Sequence, residues 1–181
     1  MRSLFAYLSR PQERARRAAE HYAALVGQAR RTEFYESLAV PDTLDGRFDL
    51  IVLHASLYLK RIRAAGAQGR DLAQAIFDHM FANLDQSLRE LGVGDVVIPK
   101  RVRSMVSAFY GRATAYDAAL AEPGDAALAE ALIRNIYAGA APGADVVARL
   151  STYLRETAKA LAAAPDETML AGQFHWLDPV T

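Results

Sequence analysis

The chain has 181 residues, with 21 Lys and Arg balanced by 21 Asp and Glu, and it contains no cysteine. The charge balance leaves no global field to hold a nucleic-acid backbone, so an electrostatic partner has to be met by a local patch. The missing cysteines exclude structural disulfides, thiol nucleophiles and cysteine-ligated zinc or iron-sulfur clusters. A chain of this length buries roughly 70% of its unfolded surface and needs no covalent staples, and one domain over residues 1–181 is the simplest expectation.

In chain order, Met1 to Leu8 is too short for a signal-peptide apolar core with a cleavage site, so no export is expected. Leu4, Phe5 and Leu8 with Arg2, Arg10, Arg14 and Arg17 sketch a weakly amphipathic basic segment. Either it is an ordinary helix start or it touches a membrane interface reversibly. A first helix is predicted over Pro11 to Arg31, with Ser9 and Gln12 at capping-box spacing and Ala18, Tyr22, Leu25 and Ala29 on its inner face. Thr32 then caps a short turn through Leu38, which Val40-Pro41 ends.

Asp45 reads as the N-cap of a helix to about Ala65 that is apolar around most of its circumference between Leu50 and Leu59, the pattern of a central, buried helix. That stretch is about half the roughly 20 residues needed to cross a bilayer. Gly66 and Gly69 close this helix. The next, Asp71 to Leu91, carries an apolar stripe of Leu72, Ile76, Phe77, Met80, Phe81, Leu84, Leu88 and Leu91, with Asp85 and Arg89 paired one turn apart on its polar face. Gly92 to Asp95 forms a connection, Val96-Val97-Ile98 is extended before proline, and Pro99 opens a helix to about Ala121. Helices from Asp125 to Ala138 and Asp145 to Ala163 follow. A short one starts at Pro165-Asp166, and a tail, Gln173 to Trp176, lies back on the body. The expected class is all-α, a single bundle of six or seven helices.

Four histidines are scattered with no Glu-x-x-His or His-x-x-x-His spacing, and Gly92-Val93-Gly94-Asp95 lacks the third glycine and the lysine of a phosphate loop. No metal, cofactor or catalytic residue is expected. Arg47, His54, Tyr58 and Arg61 fall on one side of the central helix, as a stripe that meets a partner or as a line through a His satisfied by its own neighbours. Asp45 and Asp49 suit a helix start, with Arg47 free to pair with either, yet Asp42, Asp45, Arg47 and Asp49 together exceed what one helix start needs. Lys100, Arg101 and Arg103 lie in a first turn, where the helix dipole disfavours cations. This turn is either solvated or ion-paired, or it docks acidic loops, a ribosomal surface or lipid headgroups. These seven residues are the candidate partner-binding set. Ser104, Ser107, Gly111 and Thr114 make a small-residue face, expected to lie under another helix of this chain or of a partner.

The run Val40-Pro41-Asp42-Thr43-Leu44-Asp45-Gly46-Arg47-Phe48-Asp49-Leu50-Ile51-Val52-Leu53-His54 resembles the ubiquinol-cytochrome c chaperone family, as do the later Leu88 to Asp95, Pro99 to Val102, Phe109 to Arg112 and Ala115 to Asp117. The resemblance runs from about Ala29 to Leu120 and fades outside it. It implies a non-catalytic assembly factor for the respiratory ubiquinol-cytochrome c reductase that holds newly made cytochrome b, often beside a second small assembly factor. It also implies that bacterial members act on the cytoplasmic side of the inner membrane. The alternative from another class is a small α-helical enzyme or apolar-ligand carrier using the interior near His54 and Tyr58.

Overall fold

A computed structural model describes residues 11–140 and 142–180. Among them every regular element is helical. In order these are α1 (Pro11–Ala29), α2 (Thr32–Glu36), α3 (Leu44–Ala64), α4 (Gly66–Glu90), α5 (Ile98–Ala121), α6 (Ala126–Asn135), α7 (Ala144–Ala163) and α8 (Asp166–Ala171). Six are long helices, and α2 and α8 are pieces of 5 and 6 residues. The all-α bundle expected from the periodicity is the architecture observed. Ser9 and the basic N-terminal segment lie outside the described residues apart from Arg14 and Arg17, which belong to α1.

Helix α3 is the axis of the fold. Its residues Leu50 to Leu59 are buried without interruption, and α1, α4, α5, α7 and α8 all pack on it. An apolar rod surrounded on every side must satisfy its own polar side chains internally. Ser56 donates to Leu53 O at 2.8 Å. His54, with no exposed surface, lies 2.7 Å from Leu50 O through Nδ1 and 2.8 Å from the Tyr153 hydroxyl through Nε2. A carbonyl only accepts, so Nδ1 carries the proton, and Nε2 accepts from Tyr153, whose oxygen in turn accepts from Gln28 Nε2 at 2.9 Å. Burial pushes His54 down to about 4, which keeps this chain of donors and acceptors in one protonation state. The residues from Gln173 onward do lie back on the body. Trp176 packs on His54 and Tyr58 at ring distances of 5.3 and 5.5 Å, and Leu177 O accepts from Gln28 Nε2 at 2.9 Å.

Several local expectations are corrected. The N-cap of α3 is Thr43, whose hydroxyl accepts from Gly46 N at 3.1 Å, and Asp45 sits in the first turn, where its charge complements the dipole. The N-cap of α2 is Arg31, in extended backbone, and Thr32 is the first helical residue. Val96-Val97 is not extended. Val97 has helical dihedrals, and its N–H donates to Gly94 O at 2.8 Å, because a turn there drives the fully buried Ile98 into the body ahead of Pro99. Leu91, placed by its stripe on the inner face, is 62% exposed.

The junction of α3 and α4 shows why glycine is needed there. Helix α4 begins at Gly66, whose φ of 79° suits glycine, and not at about Asp71. A Cβ on Gly69 would stand 2.0 Å from the Ile62 carbonyl oxygen, so α4 folds hard against the end of α3 only without a side chain there. Helix propensity alone favours alanine by about 1 kcal/mol. Gly69→Ala is expected instead to destabilise by about 1–3 kcal/mol, the usual range for overpacking. A urea midpoint that falls for the variant checks the sign, and one that rises contradicts the close approach.

Candidate partner-binding groove

Where the start of α3 meets the C-terminal half of α4 and the first turns of α5, the surface folds into a groove of about 660 Å³. Its apolar lining comes from Phe48 and Ile51 of α3, Leu84 and Leu88 of α4, Leu91 just beyond α4, and Met105 of α5. Asp45, Arg47, Asp49, Arg101 and Arg112 supply charge around that floor. Four of the seven residues singled out in the sequence thus meet in one place. Asp42 is tied to the rim by Arg47, whose Nε donates to Asp42 Oδ1 at 2.6 Å. Both partners are more than half exposed, so the pair contributes little to stability, although Arg47 lowers the Asp42 carboxyl from its ordinary value. Lys100 and Arg103 lie on the same turns of α5 but outside the lining.

Asp49 is not the dipole-complementing surface residue the sequence suggests. It is 8% exposed and paired with Arg112 of α5 at 2.8 Å, an ion pair at the floor of the groove that stitches α3 to α5. The Arg112 guanidinium also lies 5.9 Å from the centre of the Phe48 ring. Burial outweighs the pull of Arg112 and pushes the Asp49 carboxyl up to about 6. Asp49 Oδ1 and Arg112 Nε make no well-aligned hydrogen bond. The pair is therefore held by charge more than by directed bonds.

Sequence reasoning missed Arg112, although it stands in the segment Phe109 to Arg112, and it placed Leu88 only in an apolar stripe. The stripe Arg47, His54, Tyr58 and Arg61 does not act as one surface. His54 and Tyr58 are buried under aromatic rings, and Arg61 is spent on Leu161 O, Ala164 O and Asp166. The face of Ser104, Ser107, Gly111 and Thr114 is exposed, and a Cβ on Gly111 would meet nothing within 4 Å, so no helix of the described residues closes over it.

A second cavity, of about 470 Å³ between α3, α5 and α7, has Lys60 and Arg61 at its edge. Both cations are already engaged, with Asp117 at 2.8 Å and Asp166 at 2.6 Å. Beside the first groove Arg30, Lys100, Arg101 and Arg103 have no ion pair among the described residues. Unengaged charge flanking an apolar floor is what a polypeptide partner needs for register and affinity, so the first groove is the stronger candidate. Among the described residues no three His, Asp or Glu side chains gather into a metal-holding group.

Because Asp49 binds its proton more tightly folded than unfolded, its contribution favours the folded state below the ordinary carboxylate value of 3.8 and is lost as pH rises toward about 6. The stability difference between Asp49→Asn and the parent is therefore expected to shift in favour of the variant as pH rises through that window. Parallel urea-midpoint profiles for the two proteins would contradict the burial of an ionisable Asp49. Arg112→Met, which leaves the carboxylate buried without its cation, is expected to cost about 3 kcal/mol near neutral pH and less at pH values where Asp49 is protonated.

The sequence profile of the ubiquinol-cytochrome C chaperone family matches residues 36–176, which include every residue of the groove except Tyr22 and Arg30. Similar proteins include the ubiquinol-cytochrome-c reductase complex assembly factor 1 of Xenopus laevis, 28% identical over 156 residues that make up 86% of this chain and 78% of that protein. The assembly factors of the same name from Mus musculus and Homo sapiens are each 26% identical over 156 residues, and the match spans 52% of their length, so the chain corresponds to about half of each. The crystal structure of the Cbp3 homolog from Brucella abortus superposes with a TM-score of 0.83 and 35% identity, covering 97% of this chain and 98% of that one. The chain belongs to the ubiquinol-cytochrome c chaperone family.

Proposed function

We propose that this protein is a non-catalytic assembly chaperone for the ubiquinol-cytochrome c reductase, and that its groove holds a segment of newly made cytochrome b until the subunit is passed on. The observation that carries the reading is the convergence of Asp45, Arg47, Asp49, Arg101 and Arg112, from positions far apart in sequence, around an apolar floor within the family-matched segment. An amphipathic helix laid into such a groove would bury its apolar face against Phe48, Leu88 and Met105, and the rim charges would fix its direction. A client with long apolar helices has such faces exposed before its own helices pack, and a groove of this kind protects them without chemistry. No helix of the described residues is long and apolar enough to cross a membrane.

The carrier alternative finds less support. Its proposed interior at His54 and Tyr58 is filled by Phe34, Tyr153 and Trp176, with His54 at 0% and Tyr58 at 2% exposure.

The test is reductase assembly in cells whose own copy is deleted and replaced by Arg47→Glu with Arg101→Glu, or by Ser104→Trp to fill the groove. All three positions are exposed, so circular dichroism and protein level are expected to stay at the parent's values while assembled reductase falls several-fold. Normal reductase levels with both variants would remove the groove as the working face.

A further inference from the structure

Between α4 and α5 the chain presents an apolar tip to solvent that no described part of the protein covers. Leu91 is 62% exposed, Val96 93% and Val97 53%, and Leu44 beside them is 54% exposed. Scattered apolar side chains are ordinary on a surface, but three within seven residues at the end of one loop are not. Directly behind this tip, in the first turns of α5, stand Lys100, Arg101 and Arg103. None has an ion pair among the described residues, and their place near the positive end of the helix is one the dipole disfavours. At 1.5 Å rise and 3.6 residues per turn they follow Val97 within about 10 Å along the helix axis and within about 120° around it, Lys100 and Arg101 nearest its side. The carboxylates in this stretch are Glu90 and Asp95. Asp95 is neutralised by Arg89 at 2.6 Å, and Glu90 accepts from Gln86. Between Arg89 and Arg103 four cations therefore stand against two carboxylates, in a chain whose total charge is balanced.

We infer that the loop 91–97 and the first turns of α5 form a docking site for the surface of an anionic bilayer, with Val96 and Val97 entering the headgroup region and Lys100, Arg101 and Arg103 reading the negative lipid charge. Shallow apolar insertion and a cationic collar are the two signals that together hold a protein reversibly on such a surface. A protein partner would need acidic groups arranged to meet each cation and a pocket for each valine. A bilayer needs neither, because its charge is distributed and its interior accepts any apolar tip. The site is separate from the interior of the groove but adjoins its mouth, since Leu91 and Arg101 belong to both. Docking would turn the mouth of the groove toward the bilayer from which an apolar client emerges. This inference concerns the lipid surface and stands whether or not the groove holds cytochrome b.

Flotation of the full chain with phosphatidylcholine vesicles containing about a third phosphatidylglycerol tests it, with pure phosphatidylcholine vesicles in parallel. Binding is expected to the anionic vesicles, to weaken at least about fivefold for each of Lys100→Glu, Arg101→Glu and Arg103→Glu, and to be lost in Val96→Asp with Val97→Asp. Because the chain has no cysteine, Val96→Cys offers a single thiol for an environment-sensitive dye. Its emission is expected to shift to the blue on anionic vesicles, while a dye on Thr152→Cys of α7, which is also exposed, does not shift. No binding to anionic vesicles would overturn the inference. So would full binding by the Val96 and Val97 double variant, which would assign contact to another part of the chain, or equal binding to neutral vesicles.

Discussion

The structure depends on the complete burial of the middle of α3. Ten consecutive residues, Leu50 to Leu59, are closed off from water, and a helix in that position can be stable only if every neighbour presents an apolar face to it. α1, α4, α5, α7 and α8 are arranged to do so. The same constraint explains the polar chemistry of the interior. His54 cannot be left unpaired in the middle of the rod, so Gln28, Tyr153 and the Leu50 carbonyl are drawn into one hydrogen-bonded line that joins α1, α3 and α7. Trp176 seals this line from the other end of the chain.

A central helix that is consumed by packing along its middle can offer function only at its ends. The N-terminal end of α3 is where the apolar rod meets the groove, and there Phe48 and Ile51, at 9% and 8% exposure, form part of its floor. Asp49 is the last charge before full burial, and Arg112 of α5 holds it at the cost of partly desolvating both. The groove and the core are therefore one continuous apolar surface, divided by the Asp49–Arg112 pair. Toward the C-terminal end of α3 the cations are already engaged, since Lys60 pairs with Asp117 and Arg61 donates to the carbonyls of Leu161 and Ala164, and Gly69 lets α4 fold back at once.

Much of this was legible in the sequence because helical periodicity and the Gly and Pro punctuation report local structure directly. The central helix, the stripe on α4 apart from Leu91, and the Asp85–Arg89 pair appear where the pattern puts them. The cap of α3 was misread because Thr43 and Asp45 are both good capping residues, and only the backbone dihedrals at Thr43 decide between them. The candidate site was half legible. An excess of charge around Asp42 to Asp49 and an adverse run at Lys100 to Arg103 pointed to two segments, and the structure joins Asp45, Arg47 and Asp49 to Arg101. What stayed hidden is tertiary. Periodicity assigns Leu88 and Leu91 to one apolar stripe without saying that Leu88 ends 4% and Leu91 62% exposed. The partner of Asp49 lies 63 positions away, counting from 49 to 112, and no local pattern connects them.

Whether the groove holds newly made cytochrome b is decided by placing a photo-crosslinking amino acid at Ser104, which lines the groove, and separately at Thr152, which does not, in cells synthesising the reductase. A covalent adduct with cytochrome b is expected from Ser104 and none from Thr152. No adduct from Ser104, or equal adducts from the two positions, would contradict it.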